Sequence, residues 1–171
     1  IATQRVGGQI ESVSWNTADG FGAALNAFIA QNYGAGKNDR VRKGYKASLW
    51  TVGIWGVLIS VIFICFPEPI AQIFFHEPKA IATAMGYLVI IGFSEAFMCV
   101  ELTTVGALSG LGRTRLCSII SIAFTSARIP LAILLGGIMG LNGIWWALSS
   151  TSIVKGIIFT STFLWITRKR K

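Results

Sequence analysis

Charge is scarce in this sequence. Only 13% of its 171 residues are charged, about half the share of an ordinary soluble domain. Acids number seven, histidine one, proline four and cysteine three. So little polar material cannot cover a water-soluble core of this size. The lone His76 falls in a connecting segment, and one histidine cannot complete a zinc site. Cys65, Cys99 and Cys117 are odd in number and fit no metal spacing, so they read as small buried hydrophobes. There is no Ser-His-Asp set, phosphate loop or metal-ligand pattern, so neither catalysis nor a resident metal or cofactor is expected. A basic segment with a short apolar core and a cleavage site is also missing. The chain starts at Ile1, and further sequence upstream is expected.

What is plentiful is apolar. Hydrophobic residues make up 53%, mean hydropathy is +0.65, and there are 19 glycines, a residue commoner in membrane helices than in soluble ones. A bilayer core about 30 Å thick needs about 20 apolar residues in a helix. Residues 47–66 supply them with no charge, 116–139 with Arg128 alone, and 141–167 with Lys155 alone. Residues 81–108 carry Glu95 and Glu101. A fifth segment, 3–33, is polar along one side. At about 100° per residue, Glu11, Ser12, Asn16, Asp19, Ala23 and Asn26 share an arc of about 140° that includes Trp15 and Gly22. Surface-lying helices carry Lys and Arg on the polar face, whereas this one carries acids and amides apart from Arg5 near its start, so it reads as lining a polar cavity. The fold expected is all-α: a polytopic bundle of five membrane helices at 3–33, 47–66, 81–108, 116–139 and 141–167.

The connectors agree. Gly34-Ala35-Gly36 stops the first helix, 37–46 reads as a basic loop, and 67–79 holds three of the four prolines with Ile70, Ile73, Phe74 and Phe75 at the interface. Residues 109–115 form a short loop, Gly140 is the tightest connection, and 168–171 is a basic tail. Lys37, Arg40, Arg42, Lys43, Lys46, Arg113, Arg115, Arg168, Lys169, Arg170 and Lys171 then fall on one side, against Lys79 alone on the other. Positive charge marks the cytoplasmic side, which places the amino end outside and the carboxy end in the cytoplasm of a multi-pass cell-membrane protein. The net charge of +8 needs no nucleic acid to explain it.

Ionisable groups at membrane depth are costly and are functional candidates. Asp19, Glu95, Arg128 and Lys155 fall near the middle of four spans. Glu11 lies about 12 Å outward of Asp19 and Glu101 about 9 Å inward of Glu95, at 1.5 Å per residue. Two readings stay open. In one, Asp19 and Glu95 pair with Arg128 and Lys155 to tie the bundle. In the other, acids left unpaired bind protons, Na⁺ or a cationic substrate, with Glu11, Asn16, Asp19, Asn26, Glu95 and Glu101 as candidates. Trp15, Phe21, Phe93, Phe97, Trp145 and Trp146 either stack on such a cation or pack and anchor the helices. Pro130 is expected to kink its helix.

Residues 20–44, GFGAALNAFIAQNYGAGKNDRVRKG, resemble the second helix of the C-terminal lobe of the multidrug and toxic compound extrusion (MATE) family, with its Gln-Asn, Gly-Ala-Gly and basic loop. QIES at 9–12, FPEPIAQIFFHEPKAIATAMGYLVI at 66–90, VGALSGLGRTR at 105–115, ARIPLAILL at 127–135 and GLNGIWWALSS at 140–150 follow in the family's order. The resemblance implies a twelve-helix protein of two six-helix lobes, with helices eight to twelve here as an incomplete C-terminal lobe. It implies efflux of cationic or amphipathic compounds in exchange for H⁺ or Na⁺, no cofactor, and a bacterial plasma membrane. The partners implied are the lipid bilayer, those substrates and the missing N-terminal lobe. The chain departs from the pattern at Thr17, where a proline is frequent, at Ser109, where a larger polar residue is common, and at Met98, near which some members place an acid. Two alternatives are a lipid-linked oligosaccharide flippase of the same superfamily, which needs cavity cations, and a non-transporting membrane subunit.

Overall fold

The computed structural model describes residues 2–168, with side chains from Gly7 onward. Six α-helices account for nearly all of them: α1 (Ala2–Gly34), α2 (Asn38–Cys65), α3 (Pro67–Phe74), α4 (Pro78–Gly110), α5 (Thr114–Met139) and α6 (Leu141–Arg168). Four of these, α2, α4, α5 and α6, are long and apolar enough to cross a membrane. The 33-residue α1 is about 50 Å long at 1.5 Å per residue, more than the hydrocarbon core requires, but it is more polar than the other four.

Turns are short because glycine and proline punctuate them. Gly36, Gly112 and Gly140 adopt positive φ at the three tight connections, where a Cβ would be strained. Pro67 and Pro78 open α3 and α4, where a missing N–H costs nothing.

Two connectors differ from the sequence reading. The basic stretch 37–46 is not a loop, since α2 already begins at Asn38. Lys and Arg are good helix formers, Asp39 in the first turn suits the helix dipole, and Val41 and Tyr45, one turn apart, are buried in the core. The segment 67–79 contains the extra helix α3, whose Ala71 is buried while Ile73 and Phe74 stay exposed. Helix α5 runs unbroken through Pro130.

α4 packs against each of the other five helices. At one end, Leu25, Ile29, Val41, Tyr45, Leu108, Phe159 and Phe163 form a core, with the Tyr45 and Phe163 rings stacked at 3.8 Å. At the other, Phe63, Tyr87, Leu88, Ile91 and Trp145 form a second. Between them the packing uses small residues, Ala18, Val52 and Cys99. The backbones of α1 and α4 nearly touch there, and a methyl group on Gly106 would strike the carbonyl of Gly22.

The outside is the apolar part. Ile119, Ile122, Ile129, Ile133, Leu134 and Ile138 of α5 and Ile54, Val57, Leu58 and Val61 of α2 are exposed. Meanwhile Ser14, Ser94, Glu95, Glu101, Thr103, Thr104 and Ser149 are buried. Hydroxyls inside and isoleucines outside make sense only where the solvent is lipid.

Candidate functional site

Helix α1 is divided into three faces. Ser14, Ala18, Gly22, Leu25 and Ile29 are buried at helical spacing and meet α4, which wants small residues at the crossing. Val13, Phe21 and Phe28 are exposed on one flank. Trp15, Asn16, Asp19 and Ala23 are exposed on the other, with Asn26 half-buried at its edge. The arc proposed from sequence is therefore split: Glu11 and Gly22 turn toward α4, while Asn16 and Asp19 turn away from the bundle. Among the described residues Asp19 and Asn16 have no side-chain partner.

The acid turned inward meets a second one. The Tyr87 hydroxyl donates to Glu11 Oε2 at 2.7 Å, and the Tyr87 ring lies edge-on to Trp145 with centroids 5.3 Å apart. Glu95, one helix over, is 0% exposed. Its Oε1 is 3.9 Å from the Cys99 thiol, which donates to it, and Cys99 is 3.4 Å from the Ser14 hydroxyl. Its Oε2 has no hydrogen-bond partner among the described residues. Glu11 and Glu95 are near enough to interact electrostatically. Two carboxylates with tyrosine and serine hydroxyls form an oxygen-rich set suited to a proton or a small hard cation. No group of three or more His, Cys, Asp or Glu gathers as a metal site among the described residues.

The cations are spent differently from the pairing expected from sequence. Lys155 Nζ lies 2.7 Å from Glu101 Oε1, with both side chains largely buried, and 6.0 Å from the Phe159 ring centroid. Arg128 Nε donates to Thr151 Oγ1 at 2.9 Å and Nη2 to Ser152 Oγ at 3.3 Å, and its charge is felt at Glu11. Neither base forms an ion pair with Asp19 or Glu95. The reason is register: Glu101 and Lys155 meet where α6 crosses α4, whereas Glu95 faces α1. A bare charge at a site like that of Glu95 is expensive.

Of the aromatic candidates, Trp145 is buried and engaged with Tyr87. Phe93 and Trp146 stack on each other at 6.0 Å on the exposed side of α4 and α6. Tyr87, Ser14, Cys99, Thr151 and Ser152 were not foreseen. The run Ser149-Ser150-Thr151-Ser152 in an apolar helix was the available signal, since hydroxyls at membrane depth serve polar partners.

The family model described as MatE matches residues 1–134. The "Probable multidrug resistance protein NorM" of Thermotoga maritima is 32% identical over 168 residues, covering 94% of this chain and 34% of that protein. The "FAD transporter" of Shewanella oneidensis is 25% identical, covering 92% and 35%. Human "Multidrug and toxin extrusion protein 1" is 20% identical, covering 99% and 30%. The chain thus spans about a third of the length of these relatives. The bent form of the Vibrio cholerae MATE transporter VcmN superposes with TM-score 0.89 at 19% identity, covering 98% of this chain and 39% of that one.

Proposed function

Because the chain belongs to the MatE family, we propose that it is the incomplete C-terminal lobe of a secondary active multidrug exporter, with α1 as its eighth membrane helix. On this reading the protein exports cationic or amphipathic compounds in exchange for H⁺ or Na⁺. The observation that carries it is the buried carboxyl of Glu95, with one oxygen unpartnered, beside Glu11 and Tyr87. A group that must hold either a proton or a cation, next to a second acid, is an ion-exchange site. Asp19, exposed on the polar flank of α1, then faces the substrate cavity opposite the N-terminal lobe.

The remaining acids take other parts. Glu101 is neutralised by Lys155 and holds the bundle together. Arg128 is tied to Thr151 and Ser152, so it is not free to draw an anionic lipid-linked sugar into a cavity. An FAD-type substrate carries phosphates, which the Asp19 flank would repel. The acids favour cations.

The test uses the whole protein in proteoliposomes. Glu95→Gln and Glu11→Gln should lower ion-gradient-driven efflux of a fluorescent cation at least tenfold in one of the two, with protein abundance unchanged. Asp19→Asn should weaken efflux of the cation more than efflux of a neutral amphiphile. Full coupled transport in all three single variants and in the triple variant would sink the assignment.

A further inference from the structure

Of the two bases at membrane depth, Lys155 is spent on Glu101. Arg128 has no acid against it among the described residues and holds two hydroxyls instead, Thr151 Oγ1 and Ser152 Oγ. Hydroxyls fix a guanidinium in place but leave its charge whole, and a whole charge at this depth is expensive. Contacts across α4 give its level. Ser14 of α1 lies against Cys99, so Glu11, three residues earlier, is level with Ala96. Gly156 of α6 lies against Phe97, so Thr151 and Ser152, about one turn earlier, are level with Gly92 and Phe93. Glu95 lies between these two levels, which are about 5 Å apart at 1.5 Å per residue. The guanidinium is therefore held in the same layer as both acids, and its charge is felt at Glu11. Asp19 is turned away from the bundle, and Glu101 is already neutralised.

Charge then decides what completes the site. With both carboxyls ionised, Glu11 and Glu95 carry two negative charges and Arg128 one positive, so a single negative charge is left over. One proton or one Na⁺ neutralises it, whereas a divalent cation leaves the layer positive. The oxygens of Glu11, Glu95, Tyr87 and Ser14 cannot make this choice themselves, because Ca²⁺ also takes carboxylate and other oxygen ligands. We propose that Arg128 is the specificity-determining residue of this site, a built-in cation that limits it to one monovalent ion and keeps divalent ions out. The proposal rests on the reading of Glu11 and Glu95 as an ion-exchange pair. Coulomb energy scales with charge, so Arg128 repels Ca²⁺ about twice as strongly as Na⁺ at the same position.

Binding and transport by the whole protein test it. In detergent, Arg128→Gln should bind radioactive Ca²⁺ at least about tenfold more tightly than the wild type, and Arg128→Lys, which keeps the charge, should bind it as weakly as the wild type. In proteoliposomes, Glu11→Gln leaves Glu95 and Arg128 to cancel, with nothing for an ion to neutralise, and should lose ion-driven efflux of a fluorescent cation. Glu11→Gln combined with Arg128→Gln restores the single negative charge and should recover efflux. The proposal is overturned by an Arg128→Gln protein that binds Ca²⁺ no better than the wild type, by full efflux in Glu11→Gln, or by a double variant no better than Glu11→Gln. Should Arg128→Gln alone fail to fold, the double variant decides. A double variant that fails to fold where Glu11→Gln folds also overturns the proposal, which makes Arg128 dispensable once one acid is gone. The reading beneath it fails separately: undiminished coupled transport in Glu95→Gln removes the ion-exchange pair, whatever Arg128 does.

Discussion

Gly106 sits where two backbones cross, and its hydrogen is the whole of its function. A methyl group there meets the Gly22 carbonyl and Cα, which are backbone atoms and cannot swing aside. Overpacking of this kind costs about 1–3 kcal/mol, while replacing a helical glycine by alanine returns about 1 kcal/mol of propensity. Gly106→Ala should therefore destabilise the bundle, read as a lower thermal midpoint in detergent. Gly8→Ala and Gly20→Ala enter open space and should leave the midpoint unchanged or raise it. In the sequence Gly106 is one of 19 glycines, and nothing local distinguishes it from Gly8. What a glycine is for depends on which backbone passes it. The same limit hid the Tyr87–Glu11 contact, whose partners lie 76 positions apart. Glu95 and Glu101 were legible as candidates because a charge in an apolar run is conspicuous, but which neighbour each would meet was not.

At the scale of helices, the Glu101–Lys155 pair staples α6 to α4. Removing one member of a buried pair leaves the other charge uncompensated, at about 3–5 kcal/mol, whereas replacing both by apolar groups is often neutral. Glu101→Gln and Lys155→Met should each lower stability by roughly that amount, and Glu101→Leu combined with Lys155→Met should recover most of it. Denaturation of all the variants in one detergent checks this. A double variant as weak as the sum of the singles would show that the pair does not act as a unit. Long apolar runs made the positions of α2, α4, α5 and α6 readable. The start of α2 was not, because hydropathy reports what lipid accepts and not where a helix begins. Its basic first turns are helical through Val41 and Tyr45, whose burial depends on α4 and α6. Helix α3 escaped notice because its eight residues are too few for a periodic signal.

For the molecule as a whole, the distribution of Lys and Arg predicts its orientation. In a cysteine-free background, a membrane-impermeant thiol reagent applied to intact cells should label His76→Cys and spare Arg40→Cys. Labelling of position 40 alone would invert the assignment. The packing also has a bearing on how the protein is made. Lys155 lies about fifty residues after Glu101, which at about 5–20 residues per second is several seconds of synthesis. During that interval the partner of Glu101 does not yet exist. Until α6 arrives that face of α4 carries an acid with no cation beside it, which is costly in lipid. Since α4 packs against all the other described helices, α6 completes a core whose other members are translated before it. A ribosome stalled between Gly140 and Lys155 would leave an α4 that carries an unmatched acid at membrane depth.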